Sequence, residues 1–279
     1  MLSYLHEFHA GNFADVHKHA ALVLVLSMMQ SKPSAISAFD THAGSACYDL
    51  ASDRARKTGE ADAGILKVWR QRQQLASPDW QPLLATLAEW NRESDTLRHY
   101  PGSPAWFTTL LREGDSLTAF ELHTAESSRL QQWGRGRPVT VLVEDGLKGI
   151  LRQLPPATPR LLVLMDPSYE LKEDYRRVAD ALASAWRKCR HGVFLIWYPC
   201  LTSGHHTRLL DAISGCGVRK VWHSEAHLDE PPLRGMTGSG MLVVNPPWGF
   251  AERLDAMMAD VAGPHCLGLQ HRQGWLVGE

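Results

Sequence analysis

Seven short runs of largely apolar, β-forming residues recur along this chain: ISAFDTHAG (36–44), SLTAFELH (116–123), VTVLVEDG (139–146), RLLVLMDPSY (160–169), GVFLIWYP (192–199), VRKVWHSE (218–225) and GMLVVNPP (240–247). Most are apolar without strict alternation, a pattern a strand tolerates only when both of its faces are covered. Helical patterns fill many of the gaps: residues 14–30 precede the first run, and 125–133, 147–153, 172–190 and 205–214 follow the second to fifth. Strands alternating with helices specify a mostly parallel sheet with helices on its faces, an α/β fold. The segment between the sixth and seventh runs, AHLDEPPLRGMTGS, carries turn residues and no helical pattern, so these strands are expected to pair antiparallel. The expected sheet is therefore seven-stranded and mostly parallel, with an antiparallel last strand.

Too much chain lies between the first and second runs for one crossover. ADAGILKVWRQRQQL (61–75) and DWQPLLATLAEWNRES (79–94) both read as helices, and Trp80, Leu83, Leu84, Leu87 and Trp90 share one face of the second. Residues 51–100 are read as an inserted helical subdomain, with 1–50 and 101–279 forming the main domain, N-terminal cap helix included. The insertion is expected beside the carboxyl ends of the strands, where open α/β sheets bind ligands.

The formal net charge of −1 provides no global positive field, so any contact with nucleic acid must use a local patch. Arg54, Arg56, Lys57, Arg70, Arg72 and Arg234 are the candidates for phosphate contacts, with plain solubility as the competing role. The five cysteines are odd in number and form no CxxC, which reads as reduced thiols in a cytoplasm. The polar, His-rich start is unlike a signal peptide, and AALVLVLSMM is too short to span a bilayer. His6, His9, His17 and His19 lack a cysteine or acid at standard ligand spacing. No metal is expected; the N-terminal cluster is read instead as a charged cap over a site, with Tyr4 touching the substrate.

The acids sit at strand ends. DTHAG closes the first run with Asp40 and a small-residue turn, and Ala46 stands where a second glycine is usual in such loops. Neither GxGxxG nor GK[ST] occurs, which argues against NAD(P) and a P-loop. Glu121, ending the second run, suits ribose hydroxyls, and Asp145, ending the third, suits an adenine amino group. Together they point to an adenosine cofactor without a phosphate tail, which S-adenosyl-L-methionine satisfies. Lys18 and His19 open a helix and are expected to meet its carboxylate. Ser103, in YPGSP, is expected to bind polar cofactor atoms or to serve as a plain N-cap.

Two stretches compete as the reacting site, DPSY (166–169) and NPPW (245–248). The first ends the fourth strand, beside the first and across the point where the strand order reverses; the second ends the antiparallel pair. DPSY is therefore assigned the chemistry, with Asp166, Pro167 and Tyr169 as catalytic residues, and NPPW a structural role. Adenine N6 is a poor nucleophile because its lone pair is delocalised into the ring. The Asp166 carboxylate and the Pro167 carbonyl would accept the N6 hydrogens and stabilise the developing positive charge. Tyr169 would stack on the base and Asp166 would also border the cofactor.

The blocks MLSYxHxFHAGNxADVxKH, DTHAG, TGE, YPGSP, xELH, DG, DPSYE, WYP, RGMTGSGM and NPPW run through almost the whole chain. In this order they resemble the bacterial 23S ribosomal RNA adenine-N6 methyltransferase family RlmJ, members of which have also carried the label of a protein involved in catabolism of external DNA. The resemblance implies a Rossmann-like class I S-adenosyl-L-methionine-dependent methyltransferase that modifies one adenine of 23S rRNA; a flexible or single-stranded setting for that adenine, a cytoplasmic location and a monomer are expected. It implies cofactor contacts from His19, His42, Ser103, Glu121, Asp145 and Gly146, catalysis by Asp166 and a substrate contact by Tyr4; Lys18 is added on charge alone. Two positions depart from the family pattern. Ser168 replaces the second proline of DPPY, removing its restriction on Pro167, and Ala46 is expected to crowd the methionine part of the cofactor. The alternatives at this stage are a DNA adenine-N6 methyltransferase and a non-catalytic nucleic-acid-binding protein serving the use of external DNA.

Overall fold

The strands are β1 (Ile36–Asp40), β2 (Cys47–Asp49), β3 (His99–Pro101), β4 (Ser116–Phe120), β5 (Val139–Leu142), β6 (Arg160–Met165), β7 (Val193–Leu201), β8 (Val221–Leu228), β9 (Met236–Val244) and β10 (Leu269–Val277). The helices are α1 (Phe13–Met29), α2 (Asp53–Thr58), α3 (Glu60–Ala63), α4 (Ile65–Arg70), α5 (Gln81–Trp90), α6 (Ser103–Leu110), α7 (Thr124–Gly134), α8 (Gly146–Gln153), α9 (Asp174–Lys188), α10 (Thr207–Gly215) and α11 (Phe250–Ala262). This computed structural model describes residues 5–94 and 96–279, so Tyr4 lies outside the described residues.

Eight strands form the main sheet, in the order β10-β8-β9-β7-β6-β1-β4-β5. All seven sequence-expected strands are present. β1 is hydrogen-bonded in parallel to both β4 and β6, and β9 runs antiparallel to β7 and β8. The expected count of seven is corrected by β10, which adds antiparallel to β8 at one edge. Its alternation of half-buried and exposed residues gave little apolar signal. β2 and β3 pair separately as a short antiparallel ribbon on either side of residues 51–98.

α1 is buried on all sides from Ala14 to Leu26; residues 20–26 are apolar around the whole circumference, and the polar Asp15, His17, Lys18 and His19 of its first turns are buried with partners. One core cluster joins it to one face of the sheet and to Ile65, Val68, Trp80, Leu83 and Leu87 of the 51–100 segment. The expected helix over 61–75 is broken. Gly64 leaves helical geometry, and a side chain there would collide with the Gly11 carbonyl. The Ile65 amide donates to that carbonyl over 2.8 Å, a tertiary bond that replaces an intrahelical one. On the other face, α8, α9 and α10 cover a second cluster centred on β6 and β7. Among the described residues, no helix is long and apolar enough to cross a membrane.

Candidate active site

A cavity of about 380 Å³ opens at the carboxyl ends of the parallel strands. The loop after β1 contributes His42, Ala43 and Gly44; the loop after β4 contributes Glu121 and His123; the loop after β6 contributes Asp166 to Tyr169; β7 itself contributes Trp197, Pro199 and Leu201. Its position across β1 and β6 is where the strand order reverses and open sheets hold ligands. NPPW lies at the opposite end of the sheet. Because β9 runs antiparallel, its carboxyl end meets the amino end of β7, where the Asn245 side chain donates to the carbonyls of Arg190 and Gly192, both over 2.8 Å.

The DTHAG loop is fastened on both sides. Thr41 donates its amide to Leu164 O over 3.0 Å and Ala43 donates to Phe120 O over 2.9 Å, tying the loop to β6 and β4. Gly44 takes φ +60° and donates to Glu121 Oε2 over 2.8 Å, while the His123 amide donates to Oε1 over 2.7 Å. Each Glu121 oxygen thus keeps a further lone pair for hydroxyl donors. Burial pushes the Glu121 carboxyl up, against the pull of these two amides. Beneath the loop, Asp40 is fully buried; burial pushes it up to about 7, with Ser103 opposing and Asp166 assisting.

The cap expected from the N-terminal block forms, and it is built on Asp15. Asp15 Oδ2 accepts from the Gly11 amide over 2.8 Å and meets His6 Nε2 at 2.9 Å, and Oδ1 lies 2.8 Å from Lys18 Nζ. Burial works the other way, but His6 and Lys18 hold the Asp15 carboxyl well below its usual range. Lys18, expected to meet a cofactor carboxylate, instead donates to Asp166 Oδ2 over 2.6 Å. Burial would lower its pKa, yet Asp15 and Asp166 hold it above the ordinary lysine range. Its Nζ also stands 5.7 Å from the centre of the Trp197 ring. His9 pairs with Glu60 and both line the cavity, while His17 points away and bonds Ser224 and Ser239 on β8 and β9.

The remaining candidates separate into two groups. His19, His42, Ser103, Glu121, Asp166, Pro167 and Tyr169 line the cavity together with Lys18. Burial lowers His42 to about 4, so its ring is neutral. His19 is lowered by burial as well; its Nδ1 lies 2.7 Å from Tyr100 Oη and its Nε2 is buried without a partner among the described residues. Ser103 is the first residue of α6 and Gly102 is the N-cap, so the plain capping role does not apply. Asp145 and Gly146 are not in the cavity wall. Asp145 caps α8 through the Leu147 and Lys148 amides and bonds Arg177 over 2.8 Å, while Gly146 packs flush on the Thr41 carbonyl.

Tyr169 adopts φ +52°, donates its hydroxyl to Trp197 O over 2.8 Å, and stacks on Tyr175 with ring centroids 4.6 Å apart. Ser168 also lines the cavity. Ala46 is fully buried, outside the cavity wall, in a small cluster with Ala43, Ala119 and Leu130. The expected crowding of the cofactor is therefore replaced by a backbone cost: Ala46 holds φ +63°, a conformation that favours glycine.

Sequence reasoning did not single out Asp15 or Trp197. The spacing of Asp15 and Lys18 at i and i+3 was the available signal for the first. Trp197, in the middle of β7, follows Ile196, the partner of Met165, and so stands beside DPSY, a neighbourhood visible only once β6 and β7 pair.

Residues 33–267 match the family described as ribosomal RNA large subunit methyltransferase D, RlmJ. The chain belongs to that family. It is 38% identical over 263 residues to ribosomal RNA large subunit methyltransferase J of Escherichia coli (strain K12), covering 92% of each chain. It is also 38% identical over 260 residues to the protein of the same name from Haemophilus influenzae (strain ATCC 51907 / DSM 11121 / KW20 / Rd), again covering 92% of each. A crystal structure of a protein from Legionella pneumophila str. Philadelphia 1 superposes with a TM-score of 0.88 at 30% identity, covering 95% of this chain and 98% of that one.

For an RlmJ family member, the cavity wall fits S-adenosyl-L-methionine on three observations. The volume is within the range for small-molecule sites. Glu121 offers acceptors for ribose hydroxyls, and His19 Nε2 is a buried polar atom that lacks a partner among the described residues. No phosphate-binding glycine loop is present, in keeping with a cofactor that carries none.

Proposed function

We propose that this chain transfers the methyl group of S-adenosyl-L-methionine to N6 of an adenine in 23S rRNA. Membership of the RlmJ family supports large-subunit rRNA as the substrate. The carrying observation for an amino-group target is the carboxylate of Asp166, held by Lys18 over 2.6 Å at the cavity wall beside Pro167.

When bound, S-adenosyl-L-methionine supplies an electrophilic methyl group, so no side chain needs to form a covalent bond. The protein's work is to orient N6 and take up charge. Lys18 binds Asp166 Oδ2, which leaves Oδ1 to accept one N6 hydrogen. The Pro167 carbonyl accepts the other, and the lone pair is thereby turned out of conjugation toward the methyl group. As N6 becomes positive, Asp166 Oδ1 is the nearest acceptor for the proton that must leave. Lys18 acts as a positioning residue, fixing the carboxylate rotamer from a helix whose own register is set by the Asn12 cap and Asp15. Trp197 and Tyr169 provide aromatic surface for an unstacked base.

The test is transfer of labelled methyl from S-adenosyl-L-methionine to 23S rRNA lacking native methylation, with DNA in parallel and nucleoside analysis of both. N6-methyladenosine in the RNA alone is the expected result. Label in DNA alone would replace the substrate assignment, and a different methylated nucleoside would overturn the role given to Asp166.

A further inference from the structure

The sheet carries a second cluster of chemistry-bearing side chains, outside the cavity wall. Tyr198 pairs with Gly240, which pairs with Glu225; one step along, Cys200 pairs with Gly238, which pairs with His227. These two rows cross β7, β9 and β8 on one face. The two glycines make the crossing possible. A Cβ at Gly240 would fall inside the Tyr198 ring, and one at Gly238 would stand 2.8 Å from His227 Nδ1. With the central strand bare, side chains from the flanking strands meet over it. Tyr198 Oη donates to Glu225 Oε1 over 2.7 Å, and His227 Nε2 lies 2.9 Å from Glu225 Oε2.

His206, at the amino end of α10, covers this channel, its ring stacked on Tyr198 with centroids 6.1 Å apart. Its Nδ1 is buried and has no hydrogen-bond partner among the described residues. Donor atoms of Cys200, His206 and Glu225 all lie within 4.8 Å of one another. We propose that Cys200, His206 and Glu225 form a binding site for a divalent transition-metal ion of the zinc class, a role the sequence gave no reason to expect.

One sulfur, one imidazole nitrogen and one carboxylate oxygen are a ligand set zinc accepts, with bonds of roughly 2.0–2.3 Å. Tetrahedral donors then sit roughly 3.3–3.8 Å apart, so a modest inward movement of these side chains completes the site. The three ligands come from three elements, and a water molecule would complete the four-coordinate set. Tyr198 and His227 already orient the carboxylate, the outer-shell support that metal ligands commonly have. Burial and the nearby Glu225 charge push the Cys200 thiol up. A cation between them reverses that balance: the ion binds the thiolate, and the thiol proton leaves to solvent. The site ties β7 to β8 and α10 directly behind Pro199 and Leu201, which line the active-site cavity.

The experiment uses the full, tag-free chain, stripped by chelation and titrated with Co²⁺ and then Zn²⁺. The expected result is one equivalent of Co²⁺ per chain, with thiolate-to-cobalt charge-transfer absorption that Zn²⁺ abolishes. Cys200→Ser should remove the charge-transfer band. His206→Ala, a half-buried position tolerant of truncation, should weaken binding at least tenfold, and Tyr198→Phe about tenfold through loss of outer-shell support. Absence of saturable binding overturns the proposal. So does a charge-transfer band that survives Cys200→Ser, or affinity unchanged in folded His206→Ala, since either result assigns the ion to other residues.

Discussion

Lys18 stands between two carboxylates, Asp15 at 2.8 Å and Asp166 at 2.6 Å, and this arrangement explains how a buried lysine remains charged beside a reacting base. Removing one partner from such a group leaves charge uncompensated, so substitutions here act on both rate and stability. Asp166→Ala is expected to lower methyl transfer by about 10²–10⁴-fold while cofactor affinity stays within a few-fold, read by labelled transfer and equilibrium binding. Surviving activity would sink the assignment. Asp40 supplies a pH test. Its folded pKa of about 7 exceeds the unfolded value, so the folded state binds more protons between about pH 4 and 7. Stability from this group is therefore lost as pH rises through that window and changes little above it. Urea unfolding of Asp40→Asn should show the difference from the unsubstituted protein growing by up to about 4 kcal/mol across the window. Parallel stability profiles for the two proteins would exclude this linkage.

At the scale of elements, direction decides between two similar strand ends. DPSY follows the parallel strand β6 and reaches the cavity; NPPW follows the antiparallel strand β9 and reaches the other end of the sheet. Asn245 there takes φ +52° and bonds two carbonyls at the start of β7, a structural post well suited to asparagine. Asn245→Ala should cost about 2 kcal/mol, a fall in Tm of about 4–8 °C, with unchanged turnover per folded molecule. A large loss of turnover in the folded variant would reopen the choice between the stretches. The same strand explains its glycines, since Gly238 and Gly240 leave room for side chains of β7 and β8 to meet across it.

For the whole molecule, the 51–100 segment, expected as an inserted subdomain, sends its apolar side chains into the core of α1 and the sheet. That shared core predicts cooperative unfolding. Leu87 is fully buried in it, and Leu87→Ala should destabilise by about 2–5 kcal/mol. Denaturation followed by tryptophan emission and by far-ultraviolet circular dichroism should move as one transition. A separate early transition would instead make the insertion an independent folding unit.

The seven principal strands, most of the helices flanking them and the acids at their ends were legible from sequence, because burial on two faces and helical periodicity are local patterns. So were Asp166, Glu121, Ser103 and His19 as members of one region, since the parallel strand order brings their elements together. The edge strand β10 was not legible, because a strand buried little on either face leaves no apolar signature. Nor was the break at Gly64, which depends on the Gly11 carbonyl arriving from fifty residues away. Only the tertiary structure decided that Lys18 binds Asp166, that Asp145 turns to cap α8, and that Cys200, His206 and Glu225 converge. Charge and spacing identify which groups can pair; the packing of α1 and the register of β7, β9 and β8 determine which of them meet.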